Sequence, residues 1–209
     1  MAEKFAAADA VAVGPGLGRA AETAALLREV MRGVKAPVVV DADGLYLMGL
    51  EGLQRGRLRG VLTPHPGEMA RLFGVGADDV QRDRLAWARK LAEQTGMVVI
   101  LKGYLSVVAA PDEETWLNPT GNAGLASGGT GDVLTGVVLA LLAGGATPAA
   151  AARAGAYVHG LAGDIAAEAS GERSLVACDV LEALPAAFKL LEAGPGEGDP
   201  GWDNLFASY

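Results

Sequence analysis

Gly128-Gly129-Thr130-Gly131-Asp132 joins a polar loop to the apolar run Asp132–Leu142, and this junction decides how the chain is read. Glycines ahead of a helix let backbone N–H groups converge, and the helix N-terminus adds partial positive charge. Together they form an anion site suited to phosphate. Asp132 falls in the first turn of that helix. A carboxylate beside a phosphate is unfavourable unless it has a task, such as accepting a hydroxyl proton during phosphoryl transfer. The plainer reading makes Asp132 the N-cap and the glycines a turn. No Gly-Lys-Ser/Thr follows the glycines, so this is not a Walker loop. Ser127 lacks the Gly-x-Ser-x-Gly setting of a nucleophile elbow and reads as a loop hydrogen-bonder.

Upstream, four short apolar runs end in glycine-rich or polar loops: Ala10–Val13, Pro37–Val40, Val61–Thr63 and Val98–Leu101. Short β-branched runs stopped by such loops have the character of buried parallel strands. Helical patterns fill the gaps at Ala20–Arg32, Glu68–Phe73 and Asp79–Gln94. The rhythm predicts an α/β fold, with a mainly parallel central sheet between two helical layers. Beyond Lys102, Leu105–Ala110 and Thr115–Leu117 flank Pro111-Asp112-Glu113-Glu114 and predict a β-hairpin. Pro148 opens a helix expected to reach Ala169. Asp179 with Glu182 resembles a capping box for the last helix, which Pro185 should kink. Residues 1–193 are expected to form one domain, and the glycine- and proline-rich residues 194–209 a flexible tail.

With 209 residues, 51% of them hydrophobic and 20% charged, the chain fits a globular domain rather than a disordered one. A net charge of −8 lacks the basic footprint of a nucleic-acid binder. No apolar run reaches the roughly 18 residues that span a bilayer, and Met1-Ala-Glu-Lys-Phe does not open a signal peptide. The single cysteine, Cys178, excludes an intrachain disulfide. A cytoplasmic enzyme with no nucleic-acid or membrane partner is the expectation.

The other strand-end loops are more ambiguous. Gly14-Pro15-Gly16-Leu17-Gly18 departs from the dinucleotide fingerprint Gly-x-Gly-x-x-Gly, whose last place is Arg19 here, and Pro15 removes a phosphate-binding N–H. It reads as a close-approach loop for a different ligand. Asp41 and Asp43 share a strand-end face, where they could act on magnesium through water or simply cap the next helix. Neither is assigned as a direct metal ligand. His65, stiffened by Pro64 and Pro66, is a candidate substrate contact; otherwise Glu68 caps the helix and His65 packs. Lys102 ends an apolar strand and either pairs with phosphate or extends to water. His159 reads as structural and Cys178 as a small packed residue.

Taken in order, these stretches resemble the ADP- or ATP-dependent NAD(P)H-hydrate dehydratases, a metabolite-repair branch of the ribokinase-like superfamily. The matching pieces are Gly14–Gly18, Val40–Leu45 (VDADGL), Leu62–Glu68 (LTPHPGE), Leu101–Gly103 (LKG), Asn118–Gly136 (NPTGNAGLASGGTGDVLTG), Val158–Asp164 (VHGLAGD) and Ala177–Asp179 (ACD). The pairing of TPHPGE with GNAGLASGGTGD is the specific part. The resemblance covers nearly the whole chain except the tail.

It implies a ribokinase-like three-layer αβα fold and a two-step reaction. The hydroxyl of the hydrated nicotinamide ring (S epimer) is phosphorylated by ADP or ATP with Mg²⁺, and loss of phosphate restores NADH or NADPH. Carried onto this chain, Asp132 is the base and a hydrate contact, and Gly128–Gly131 cradle the transferred phosphoryl group, with Gly129 and Gly131 foremost. Lys102, Gly103, Tyr104, Leu105 and Ser106 line the nucleotide site. So do Asn122, Ala123, Gly124, Leu125, Ala126, Ser127, Gly128, Gly129, Thr130 and Gly131, while Gly16 and His65 contact the hydrated dinucleotide. Tyr104 and Ser106 stand where the family usually has alanine and threonine; serine keeps the hydroxyl. The resemblance further implies a homo-oligomer. It also implies an N-terminal segment ahead of the Gly14 loop, so the expectation is either that this chain is truncated there or that another chain completes the site. Two rival readings share the anion loop: a ribokinase-like kinase of a small hydroxylated vitamin precursor, and an inactive truncated nucleotide-binding remnant.

Overall fold

In a computed structural model of the chain, residues 7–55 and 58–193 are described. The expected tail, 194–209, lies outside them. Six strands form one sheet in the order of the sequence: β1 (Val11–Val13), β2 (Val38–Val40), β3 (Gly60–Leu62), β4 (Val98–Leu101), β5 (Val107–Ala109) and β6 (Trp116–Leu117). The first four are parallel. The β5–β6 hairpin forms as expected, and β5 also returns antiparallel along β4, giving that end of the sheet a second reversal.

Alternation along these strands decides which helices cover which face. Val38, Val40, Leu62, Val99, Leu101, Val107 and Ala109 point into one core with Leu27, Met31, Leu45, Leu53, Met69 and Leu91. These partners come from the crossover helices: α1 (Ala21–Gly33), α2 (Ala42–Arg55), α3 (Pro66–Phe73), α4 (Ala77–Arg82) and α5 (Arg84–Thr95). Parallel strands added in sequence through right-handed crossovers place their helices on one face, as found here. Val39, Val61, Val98, Ile100 and Val108 point the other way, onto Leu134, Val138 and Leu142 of α6 (Thr130–Ala143) and onto alanines of α7 (Pro148–Ser170). Small Ala149, Ala151, Ala152 and Ala156 let α7 lie close on the sheet. Its outer side, with Val158, Ala162 and Ala166, carries α8 (Ala177–Glu192) through Val180 and Ala187. The layering is therefore helix, sheet, helix, with α8 outermost.

Several boundaries differ from the pattern-based expectation. The stretch Asp79–Gln94 is two helices, because Asp83 leaves helical geometry and its carboxylate caps the second by accepting from the Ala86 N–H (3.0 Å). Helix α2, whose glycines Gly44, Gly49 and Gly52 dilute the helical signal, was not expected as a unit, and it breaks at Gly49. Asp179 is not an N-cap. Helix α8 starts at Ala177, and Asp179 reaches back to accept the Val176 N–H (2.9 Å), so Glu182 has no capping role. Pro185 lies inside α8, which continues through it; Cys178, expected to be packed, is exposed in the first turn of the same helix.

Helix α7 also shapes the site, because a loop crosses it where it has no side chain. A Cβ on Gly160 would lie 2.2 Å from the Thr120 hydroxyl and 2.7 Å from the Thr120 backbone. Gly160→Ala should destabilise the fold by about 1–3 kcal/mol, the usual penalty of overpacking. Urea unfolding of the purified variant checks this, and an unchanged midpoint would contradict the close approach.

Candidate functional site

The C-terminal ends of parallel strands are where open α/β sheets gather ligands, and here Asp41 follows β2, His65 follows β3 and Lys102 follows β4. Asp41 is 1% exposed. Its Oδ1 accepts from Lys102 Nζ (2.8 Å) and its Oδ2 from the Thr135 hydroxyl of α6 (2.9 Å). Glu68 Oε2 lies 3.9 Å from the same ammonium. Lys102 is thus neither a solvated lysine nor a bare phosphate ligand, but is held from below by a buried carboxylate. Asp43, expected to share a face with Asp41, points elsewhere. The strand has already ended at Val40, and the helical turn of α2 sends Asp43 to the Gly18 N–H (3.0 Å) and Arg19 Nε (2.6 Å). The Arg19 hydrogen bond holds the Asp43 carboxyl below its usual range.

The anion loop has the geometry its glycines suggest. Gly129, with φ of +87°, is the N-cap of α6 and offers no side chain to cover the first-turn N–H groups. A Cβ on Gly131 would sit 3.4 Å from Lys102 Nζ, so the ammonium stands beside this helix end. Asp132 is the third residue of α6, not its cap. Its carboxylate is exposed, and among the described residues it makes no hydrogen bond or ion pair. The Thr130 hydroxyl turns back into the loop, within reach of Leu125 O (2.7 Å) and Ser127 O (2.9 Å).

Beside this helix end opens a cleft of about 630 Å³. Of the expected nucleotide residues, Lys102, Gly103, Tyr104, Leu105, Ser106, Asn122, Ala123, Leu125, Ala126, Thr130 and Gly131 line it, and so does His65. Gly124, Ser127, Gly128, Gly129 and Asp132 do not line it, and Gly16 lies apart on the β1 loop. For Gly124 the reason is packing: a Cβ there would meet Glu172 O at 2.6 Å. His65 has a second function as the N-cap of α3. Its Nδ1 accepts from the Gly67 N–H (3.0 Å) and the Glu68 N–H (3.3 Å), and Glu68 Oε2 accepts the His65 N–H (2.8 Å). In the neutral ring this assigns the proton to Nε2.

Several residues that shape the cleft carried little sequence signal. Asp164 accepts from the Gly121 N–H (2.8 Å) and from Asn122 Nδ2 (2.9 Å), which fixes the start of the loop. Buried Asn118 donates to Ala156 O (2.9 Å) and accepts the Thr120 hydroxyl (3.0 Å). Arg84, at the start of α5, donates to Leu101 O (2.9 Å) and to Tyr104 O, bracing Lys102–Ser106 from behind. His159 lines the cleft and bonds Thr130 O through Nε2 (2.8 Å). Because a carbonyl can only accept, Nε2 carries the proton. Burial depresses the pKa of this imidazole to about 4, so the ring is neutral at physiological pH.

Two measurements test this framework. Asp41→Ala removes the nearer of the two carboxylates beside Lys102 and should destabilise the fold by about 1–3 kcal/mol, as lost charge-assisted hydrogen bonds do; calorimetric unfolding gives the value. For His159 the folded pKa lies below the unfolded one, so its contribution is complete above about pH 6.5 and declines as pH falls towards 4. His159→Gln should flatten the stability profile over that window, by up to about 3 kcal/mol. Parallel profiles for the two proteins would exclude the neutral, buried ring.

Comparison with known proteins agrees with this arrangement. The sequence profile of a family described as NAD(P)H-hydrate dehydratase matches residues 1–186. A bifunctional NAD(P)H-hydrate repair enzyme of Moorella thermoacetica is 46% identical over 194 residues, covering 91% of this chain and 36% of that protein. The chain spans little more than a third of the length of such bifunctional relatives. The crystal structure of the ADP/ATP-dependent NAD(P)H-hydrate dehydratase of Bacillus subtilis, co-crystallised with ATP and Mg²⁺, superposes with a TM-score of 0.78. The two are 35% identical, with 90% of this chain and 69% of that one covered. A ribokinase-like superfamily protein of Enterococcus faecalis gives a TM-score of 0.76 at 28% identity, over 90% of this chain and 66% of that one.

Proposed function

The chain belongs to the NAD(P)H-hydrate dehydratase family, and from that premise we propose that it dehydrates the S epimer of NAD(P)H hydrate with ADP or ATP as phosphoryl donor. The observation that carries this reading is Asp132: an unpaired carboxylate in the first turn of α6, on the helix whose uncapped N-terminus faces the Lys102 ammonium. The donor occupies the cleft between Lys102–Ser106 and Asn122–Gly131. Backbone N–H groups of Gly128–Gly131, at and just ahead of the start of α6, hold the transferred phosphoryl group as an oxyanion-type cradle, and Lys102, steadied by Asp41, adds a point charge. The ring hydroxyl attacks the donor's terminal phosphorus and gives its proton to Asp132, while the phosphoanhydride bond breaks and AMP or ADP leaves. Departure of phosphate together with a ring proton restores the reduced nicotinamide. His65 and Gly16 contact the hydrated dinucleotide.

Among the described residues, no three His, Cys, Asp or Glu side chains stand together as a metal cage. This fits magnesium, which commonly arrives on substrate phosphates with its own waters and takes only one or two protein carboxylates. When bound, the ion neutralises charge on the phosphoryl oxygens. Among the described residues, no helix is long and apolar enough to cross a membrane. We place the enzyme in the cytoplasm as a homo-oligomer, without a nucleic-acid or membrane partner; exposed Leu181 and Leu190 on the outer helix α8 support self-association.

The test mixes the purified chain with NADPH hydrate, Mg²⁺ and either ADP or ATP, and follows the return of near-ultraviolet absorbance. Nucleotide-dependent recovery is expected, and Asp132→Asn should slow it by roughly 10²–10⁴-fold while nucleotide still binds. Wild-type protein that binds nucleotide but restores no absorbance would overturn the reading.

A further inference from the structure

The cleft described above accommodates a phosphoryl donor, but the hydrated dinucleotide is long and most of it must lie elsewhere. The same edge of the sheet carries an unassigned cluster on the far side of His65. Tyr46, on α2, is a half-exposed aromatic at 46%. The Arg19 guanidinium stands 4.6 Å from its ring centre and that of Arg71 5.6 Å. Cations stacked on an aromatic face leave their N–H edges free for an anion. Arg19 shares its charge with Asp43, whereas Arg71 has no carboxylate partner among the described residues. Next to them lies a hollow of about 170 Å³, floored by Leu45, Leu50 and Leu72 and opened where α2 breaks at Gly49.

The hollow is connected to the reaction site. Glu68 lines it, yet both its oxygens are turned away, one to the His65 N–H (2.8 Å) and towards Lys102 (3.9 Å), the other to His65 Nε2 (3.5 Å). Arg71 sits one turn further along α3. Passing from β4 to β1, the strand ends therefore present Lys102, then His65 and Glu68, then Tyr46 and Arg71, then Arg19 with the Gly14–Gly18 loop. At about 4.8 Å between strands this path is roughly 14 Å long, within reach of an extended dinucleotide.

We propose that Arg71, Arg19 and Tyr46 form the subsite for the phosphorylated adenosine half of the dinucleotide, with the base over the apolar hollow and a phosphate on the guanidinium edges. The proposal rests on the dehydratase reading, which supplies the substrate. It assigns to residues remote from the transferred phosphoryl group a uniform binding role, the same in ground and transition states, which lowers KM and leaves kcat as it is.

The experiment compares wild type, Arg71→Ala and Arg71→Lys, with Arg82→Ala as a surface control. Steady-state kinetics use NADPH hydrate and NADH hydrate at saturating donor, and calorimetry measures binding of NADP⁺ and NAD⁺ in the presence of Mg²⁺ and ADP. Loss of a charge-assisted contact should raise KM about tenfold in Arg71→Ala with kcat unchanged, with partial recovery in Arg71→Lys. A loss confined to NADPH hydrate and NADP⁺ assigns the ribose phosphate; an equal loss for both pairs assigns the pyrophosphate. If turnover persists and Arg71→Ala matches wild type in KM and in calorimetry, the subsite is wrong and the dehydratase reading stands. If neither hydrate is turned over but Arg71→Ala still weakens dinucleotide binding, the dehydratase reading fails and the subsite stands.

Discussion

The carboxylate of Asp41 ties together, at one point, three pieces of chain that the sheet and its covering helix bring near one another. It follows β2, holds the ammonium that follows β4, and accepts the Thr135 hydroxyl from the helix that carries the anion loop. A charge this deeply buried is tolerated only when its oxygens are satisfied, so the sheet edge and the N-terminus of α6 must come together in one arrangement. Lys102 is then fixed beside Gly131 before any ligand arrives. A preset charge of this kind needs little reorganisation when phosphate binds, the condition under which electrostatic catalysis is most effective.

Around that tie, the walls of the cleft are set by polar contacts to backbone. Asp164 and Asn118 fix the loop before α6, Arg84 fixes the turn after β4, and His65 and Glu68 cap one another ahead of α3. The cleft that remains for a ligand mixes small residues with Leu105, Leu125, Leu134 and Tyr104; Lys102 is the charged group in its lining, and Asp132 stands exposed at the helix end beside it. The chemistry proposed here needs such a division, because one carboxylate must stay free while every other nearby acid is occupied.

Much of the layout was legible in the sequence because it follows local rules. Short β-branched runs before glycine loops gave four parallel strands, and Pro111-Asp112 marked the hairpin. The glycine cluster ahead of an apolar run located the start of α6 and the loop proposed to hold phosphate. What was not legible depended on partners distant in sequence. Asp41 and Asp43 look alike on a strand end, yet one is buried against Lys102 and the other binds Arg19 at the surface, because the helix begins between them. His159 reads as a helix-core residue until the loop bearing Thr130 lies against it. Arg84 looks like any surface arginine after a capping aspartate. Helix α2 escaped notice because three glycines weaken its periodicity, and one of them opens the hollow beside Tyr46.

The strand order, each strand beside its predecessor, has a consequence for how the protein is made. A chain emerging from the ribosome can add each strand-and-helix unit to an edge already present, since no early strand waits for a later one to be inserted beside it. The β1–β4 sheet and its crossover layer are all encoded before residue 102, so Asp41 and Lys102 can be in place while α6 is still unmade. Among the described residues, the helices that cover the opposite sheet face, with Val39, Val61 and Ile100, come after all four of these strands in sequence. That order allows an interval in which this face lacks α6 and α7. During that interval, an oily surface awaiting its second layer is a natural target for a chaperone, and assembly of the anion loop marks its end.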